Sequence, residues 1–274
     1  MTFSNYLNSV YDIPVLAYHK VSPESEFGLT TIHPDEFENQ IGYLYSHGYQ
    51  TVTFRDLPDP ALERPAKPVI LMFDDGYESI HRFAVPVLEK YGFHAVIAVI
   101  TGFIGKFNTW EAFGLQRKHR HLTAGQIKDV HAACHEIASH SVTHPYLPAL
   151  PLRKAVAEIS DSKKVLEDIT GAEIITFCYP YGRHSKRVCG LLSETGYRYA
   201  SVNAGLFPKK INHVYAMPRT SIYATDSQRR FIRKIESYNR LSLTHLGQWI
   251  IQRGALAGVL RKAADQILNG SDDR

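Results

Sequence analysis

Four short stretches of the chain carry residue types that do chemistry, and each follows an apolar run. Phe73-Asp74-Asp75-Gly76-Tyr77 closes the run 68–73. Two adjacent carboxylates are costly to bury unpaired, and in a continuing strand they point to opposite faces. A bend at Gly76 can turn both toward one cleft, where one can hold a metal while the other stays free as a base. Alone, Asp-Asp-Gly is also a common turn. Ser139-His140-Ser141-Val142-Thr143-His144-Pro145 follows the run 136–139. Imidazoles four residues apart converge on one ion from a helical turn or a tight loop, and Pro145 favours the loop. With one carboxylate they form a two-His, one-carboxylate set with open positions for water and substrate. His131 and His135 share that spacing but are expected on an exposed helix. Phe177-Cys178-Tyr179-Pro180-Tyr181-Gly182 sets a fixed loop whose N–H groups can line an oxyanion site. The fourth stretch is Val15 to Val21, with His19 at the end of its apolar run.

The elements that must position these residues alternate along the chain. Strands are predicted at 13–18, 50–53, 68–73, 95–100, 136–139, 174–179, 198–202 and 215–222. Helical spacing falls at 34–47, 79–91, 123–134, 151–170 and 185–196, and Gly171 is a plausible stop for the fourth. Strand–helix alternation over most of the chain predicts parallel βαβ units, and strands apolar at nearly every position suit a sheet covered on both sides. A closed or nearly closed (β/α) barrel is the first expectation and an open doubly wound sheet the second. After residue 225 the strand signals stop. Leu246, Trp249, Ile250, Leu256, Leu260, Ala264 and Ile267 recur at helical spacing, which predicts a C-terminal amphipathic helical extension over 226–274.

Together the four stretches resemble the polysaccharide deacetylases, the NodB-homology family of carbohydrate esterases, over about residues 13–222. The family's Thr-Phe-Asp-Asp-Gly motif stands as Met72 to Gly76, and its His-Ser/Thr-x-x-His motif as His140 to His144. Its Arg-x-Pro-Tyr motif stands as Cys178-Tyr179-Pro180-Tyr181, without the Arg that in many members pairs with the base. The late Leu-x-His segment that supplies the general acid has no counterpart, since the late strand reads Ala216-Met217-Pro218-Arg219-Thr220. The N-terminal Tyr-His-x-Val element resembles the circularly permuted branch that deacetylates poly-β-1,6-N-acetylglucosamine, where its His is the acid.

The resemblance implies a distorted (β/α) barrel of the NodB-homology type, with 1–225 as the catalytic domain. It implies Asp75, His140 and His144 as ligands of one divalent ion, zinc first, with cobalt, nickel or manganese as alternatives. Asp74 becomes the base, His19 the acid, and the Tyr181 N–H part of the oxyanion hole. The implied reaction is hydrolytic removal of N-acetyl groups from N-acetylglucosamine-type sugars in an oligosaccharide, a polysaccharide or a lipid-linked precursor. Tyr18, Tyr77, Tyr146, Tyr179 and Tyr181 are candidates for stacking on sugar, and Arg219 for lining the site. An amidase of the same fold acting on a non-sugar C–N bond, and a silent carbohydrate-binding homologue, are the alternatives.

Composition narrows the setting. A chain of 274 residues that is 44% hydrophobic and 21% charged is neither disordered nor low-complexity. The net charge of +4 falls wholly in residues 226–274, too mild a surplus to point to nucleic acid. The basic amphipathic tail is expected to pack on the body or on a second subunit, with peripheral contact at the inner membrane face as the weaker alternative. Residues 1–11 have neither the basic nor the apolar stretch of a secretory leader, and the three cysteines show no ribbon spacing. The expectation is a cytoplasmic protein with reduced thiols.

Overall fold

The computed structural model describes residues 12–24, 26, 28–57, 65–108, 118–203, 213–236 and 238. Its strands are β1 (Val15–Tyr18), β2 (Lys20–Val21), β3 (Thr31–Ile32), β4 (Gln50–Thr51), β5 (Pro68–Phe73), β6 (Val96–Val99), β7 (Glu136–Ser139), β8 (Thr176–Cys178), β9 (Tyr199–Asn203) and β10 (Met217–Ser221). Its helices are α1 (Pro34–Ser46), α2 (Val85–Lys90), α3 (Ala124–Ala132), α4 (Leu152–Thr170), α5 (Lys186–Glu194) and α6 (Gln228–Glu236). The order β1-β10-β9-β8-β7-β6-β5 is parallel throughout, and β5 pairs back onto β1 with Leu16 opposite Leu71. That pairing closes a seven-stranded ring and decides for the barrel over the open sheet. The expected strand at 50–53 is only the two-residue β4, which flanks the start of β5 outside the ring.

Strand alternation sorts the apolar residues into two layers. Val15, Ile70, Met72, Val96, Ala98, Ala138 and Met217 fill the barrel. Leu16, Val69, Leu71, Phe73, Ile97 and Phe177 face outward, where Phe37, Ile41, Leu88, Ile159 and Leu192 from the helices cover them. Burying each such side chain is worth roughly 1.5–3 kcal/mol relative to leaving it exposed.

Local signals set the helix ends. Thr123 and Gln126 form a reciprocal capping box on α3, and Gly171 ends α4 at φ 67°. The single helix predicted at 79–91 is instead a π turn, Ile80–Ala84, leading into α2. Pro86 explains the break, because it has no N–H to donate and its ring crowds the preceding turn. The helix α6 packs Phe231 and Ile235 into the same outer core, and Lys234 ties it to Asp226 and to the Ser221 carbonyl at 2.7 Å. The rest of the expected C-terminal extension lies outside the described residues. No helix among the described residues is long and apolar enough to cross a membrane.

The expectation that His131 and His135 share an exposed helix is corrected. His135 lies past α3, is 2% exposed, and its Nδ1 accepts the Ala95 N–H at 3.0 Å. Burial, with His94 nearby, pushes it down to about 4 from 6.5. The folded state holds this imidazole neutral, so its stabilising effect is complete above the unfolded value and is lost as pH falls toward the folded one. Denaturant titrations of His135→Asn, which keeps an acceptor near the Nδ1 position, should remove up to roughly 3 kcal/mol of wild-type acid sensitivity between those two pKa values. Equal pH dependence of the two proteins would contradict the assignment.

Candidate active site

The inward parity of each strand, continued one step past its end, builds the mouth of the barrel. On β5 the inward residues Ile70 and Met72 lead to Asp74, and on β7 Ala138 leads to His140. By the same count Val15 leads through Ala17 to His19, and Met217 leads to Arg219. Cys178 closes β8 in the same layer. Five strands thus bring distant residues to one rim, where ligands bind in parallel α/β proteins.

Asp75 and His144 reach the site by leaving strand geometry. Asp75 has φ 68°, and Gly76 follows at φ 66°, where a Cβ would sit 3.2 Å from Val99. Among the described residues five non-glycine positions have positive φ, and Asp75, Ser141, His144 and Tyr181 are four of them. Each costs of order 1–3 kcal/mol, and such strain gathers where a site dictates backbone geometry.

The Asp75 Oδ1 lies 3.4 Å from the His140 Nε2 and 3.6 Å from the His144 Nε2, and all three side chains are buried. Two ligand atoms bound tetrahedrally at about 2.0–2.1 Å stand about 3.3–3.4 Å apart, so the three atoms fit one divalent ion. The His140 Nδ1–H donates to the Cys178 carbonyl at 2.7 Å, which aims Nε2 at Asp75. The His121 Nδ1–H donates to the Asp75 carbonyl at 2.8 Å and steadies that turn. Burial opposes a charge on Asp75, yet His140, His144 and His19 together hold its carboxyl well below the usual range. Burial and the neighbouring His140 push His144 down to about 3, the neutral form a ligand needs.

Asp74 points elsewhere. The Arg219 guanidinium binds its Oδ1, the Cys178 Sγ stands 3.3 Å from the same oxygen, and the His19 Nε2 lies 3.6 Å from its Oδ2. Burial would raise the Asp74 carboxyl, but Arg219 and then His19 reverse this and keep it ionised. A second group of possible ligands, Asp74, His140 and Cys178, also converges. There the Arg219 Nη1 donates to the Cys178 sulfur at 2.9 Å, and a guanidinium on two of the three groups repels a cation. His19 is pulled down by burial, with Asp74 and Asp75 acting against that.

Arg219 therefore stands where the third motif lacks its Arg, but it comes from β10. Arg219 was expected to line the site; at 2% exposure its guanidinium instead engages Asp74, Cys178 and the Asn203 Oδ1, the last at 3.0 Å from Nε. Asn203, which the sequence did not single out, also donates to the Tyr181 carbonyl at 3.3 Å. Gly182 must be glycine beside it, since a Cβ would meet the Asn203 side chain at 2.2 Å. Arg219→Lys keeps the charge but loses the planar fork; any turnover that relies on an ionised Asp74 should fall on the order of tenfold, one charge-assisted hydrogen bond. Wild-type turnover would refute this role.

Three of the five tyrosines expected to stack on sugar, Tyr18, Tyr77 and Tyr179, are corrected. The Tyr18 ring is wholly buried between Phe37 and Phe73, and its hydroxyl donates to Gln40 at 2.9 Å. Tyr179 donates to the Tyr215 carbonyl at 2.9 Å from inside the outer core, and Tyr77 lies under Lys20 and against His121. Tyr18 and Tyr179 occupy outward strand positions, the parity of Leu16 and Phe177, so they turn away from the mouth. Tyr181 stays at the rim, its ring edge-on to His144 with centroids 4.5 Å apart.

The family model described as polysaccharide deacetylase matches residues 61–200. YxkH of Bacillus subtilis, which carries that family's name, is 30% identical over 229 residues, covering 82% of this chain and 76% of YxkH. The poly-β-1,6-N-acetyl-D-glucosamine N-deacetylase of Staphylococcus aureus is 23% identical over 182 residues, 65% of this chain and 63% of its own length. Among solved structures, the Streptococcus pyogenes deacetylase PplD in complex with acetate superposes with a TM-score of 0.69 at 25% identity, over 81% of this chain and 97% of PplD. A closed parallel barrel, the two motifs at its mouth and a match across half the chain place this protein in the polysaccharide deacetylase family.

Proposed function

We propose that the protein is a metal-dependent N-deacetylase that releases acetate from β-linked N-acetylglucosamine units, with Asp75, His140 and His144 holding one divalent ion, zinc first. One observation carries this reading: the two neighbouring carboxylates are separated into different jobs. Asp75 faces two imidazoles at metal-ligand spacing, while Asp74 faces a guanidinium on one side and His19 on the other. Pure sugar binding needs no such division. Held there, a divalent ion would supply Lewis acidity at the acetyl carbonyl and make a water easier to deprotonate.

The chain's own residues supply the proton transfers. Asp74 accepts a proton from the attacking water, and its ionised state is secured by Arg219. The Tyr181 N–H donates to the developing oxyanion from a loop whose φ of 59° fixes its direction. His19 delivers a proton to the departing amine. Burial makes its imidazolium a stronger acid than one in water, which suits a donor to a poor leaving group. The linkage is inferred from likeness to the staphylococcal enzyme, whose name specifies poly-β-1,6-N-acetyl-D-glucosamine. Acetate release from β-1,6 and β-1,4 N-acetylglucosamine oligomers tests it. Faster release from the β-1,6 series supports the proposal, and preference for β-1,4 or no release from either would reject the substrate.

A further inference from the structure

We infer that Glu158 is a positioning residue for the metal site, a clamp on the loop between its two histidines. The inference rests on the metal reading above. Glu158 sits in the second turn of α4, and its carboxylate reaches back over the strand end. The Val142 and Thr143 N–H groups both donate to its Oε2 at 2.8 Å, and the Thr143 hydroxyl donates to its Oε1 at 2.6 Å. Val142 and Thr143 lie between His140 and His144, so one side chain gathers the middle of the ligand loop.

That loop needs holding. Ser141 and His144 bracket the clamped pair with φ of 66° and 60°. Strain of this kind persists only where surrounding contacts over-determine the backbone. A second set of bonds comes partly from the same helix and partly from within the loop. The Ser139 and Ser162 hydroxyls pair at 2.7 Å, Ser162 is anchored on the Glu158 carbonyl at 2.8 Å, and the Ser141 hydroxyl accepts the His144 N–H at 3.0 Å. These bonds fix the loop's two ends, and Glu158 fixes its centre. A helix-dipole role does not explain the carboxylate, because Glu158 lies beyond the first turn of α4. Bonds from an ionised acceptor are about twice as strong as neutral ones, so removing Glu158 releases more than three ordinary contacts. Ligand atoms 3.4 and 3.6 Å from Asp75 would then lose their fixed spacing.

The test is zinc affinity of the full-length protein, measured by competition with a chromophoric chelator, beside thermal denaturation of the metal-free form. Glu158→Ala should weaken zinc binding about 10–100-fold, the usual cost of losing a group that orients ligands. Glu158→Gln, whose carbonyl can still accept both N–H groups, should stay within about threefold of wild type. Thr143→Val removes only the hydroxyl bond and should weaken binding about fivefold; it carries the test if Glu158→Ala does not fold. Wild-type zinc affinity in Glu158→Ala, whatever its melting temperature, would overturn the clamp while leaving the metal reading intact. No zinc binding by the wild type would overturn both.

Discussion

Replacing Asp74 by Asn is expected to lower turnover by about 10²–10⁴-fold, the range for loss of a general base, while zinc content stays at the wild-type level. The substitution keeps shape and removes the ability to take a proton. Zinc should be retained because Asp75, not Asp74, stands 3.4 and 3.6 Å from the two imidazoles. The complication is Arg219, which is 2% exposed and would lose its counter-charge. Breaking a buried pair from one side costs about 3–5 kcal/mol, so a loss of activity could reflect a loosened site. The double variant Asp74→Asn, Arg219→Met separates these effects: neutral groups replace the pair, so stability should recover toward wild type while activity stays lost. Near-normal turnover in Asp74→Asn, or return of activity with stability in the double variant, would remove Asp74 from the base role.

The second large effect is expected at His140. This side chain is 1% exposed, with Nδ1 fixed on the Cys178 carbonyl and Nε2 toward Asp75. Sites with four protein ligands bind zinc with about 10–16 kcal/mol, or roughly 3 kcal/mol per ligand. His140→Ala should therefore weaken zinc binding by roughly 10²–10³-fold, and acetate release should fall in step with metal content. Excess zinc should restore part of the activity, because Asp75 and His144 remain. His140→Ala with undiminished stoichiometric zinc would remove His140 from the ligand set.

Much of this arrangement was legible before any coordinates. Runs of β-branched residues separated by helical spacing predict parallel βαβ units, with a barrel ahead of an open sheet, and the chemistry-bearing residues fall at strand ends, where such folds build sites. What spacing could not convey was which strands meet across the closure. Arg219 reaches Asp74 because β10 and β5 both flank β1, a neighbourhood that exists only once the ring is shut. The buried tyrosines follow from strand parity, which turns Tyr18 and Tyr179 outward with Leu16 and Phe177. The left-handed backbone at Asp75 and His144 had no local signal beyond Gly76 and Pro145. His135 looked like a helix-face residue because its spacing from His131 fits one turn, but the chain turns at Cys134, φ 65°, and buries it.

The most direct test of the central claim is acetate release from a β-1,6-linked N-acetylglucosamine oligomer by one preparation in three states: as purified, stripped with chelator, and reloaded with one equivalent of zinc. Metal-dependent deacetylation predicts release that stops on stripping and returns on reloading, with Asp74→Asn silent at full zinc occupancy. Release that continues at the same rate from metal-free protein would contradict it.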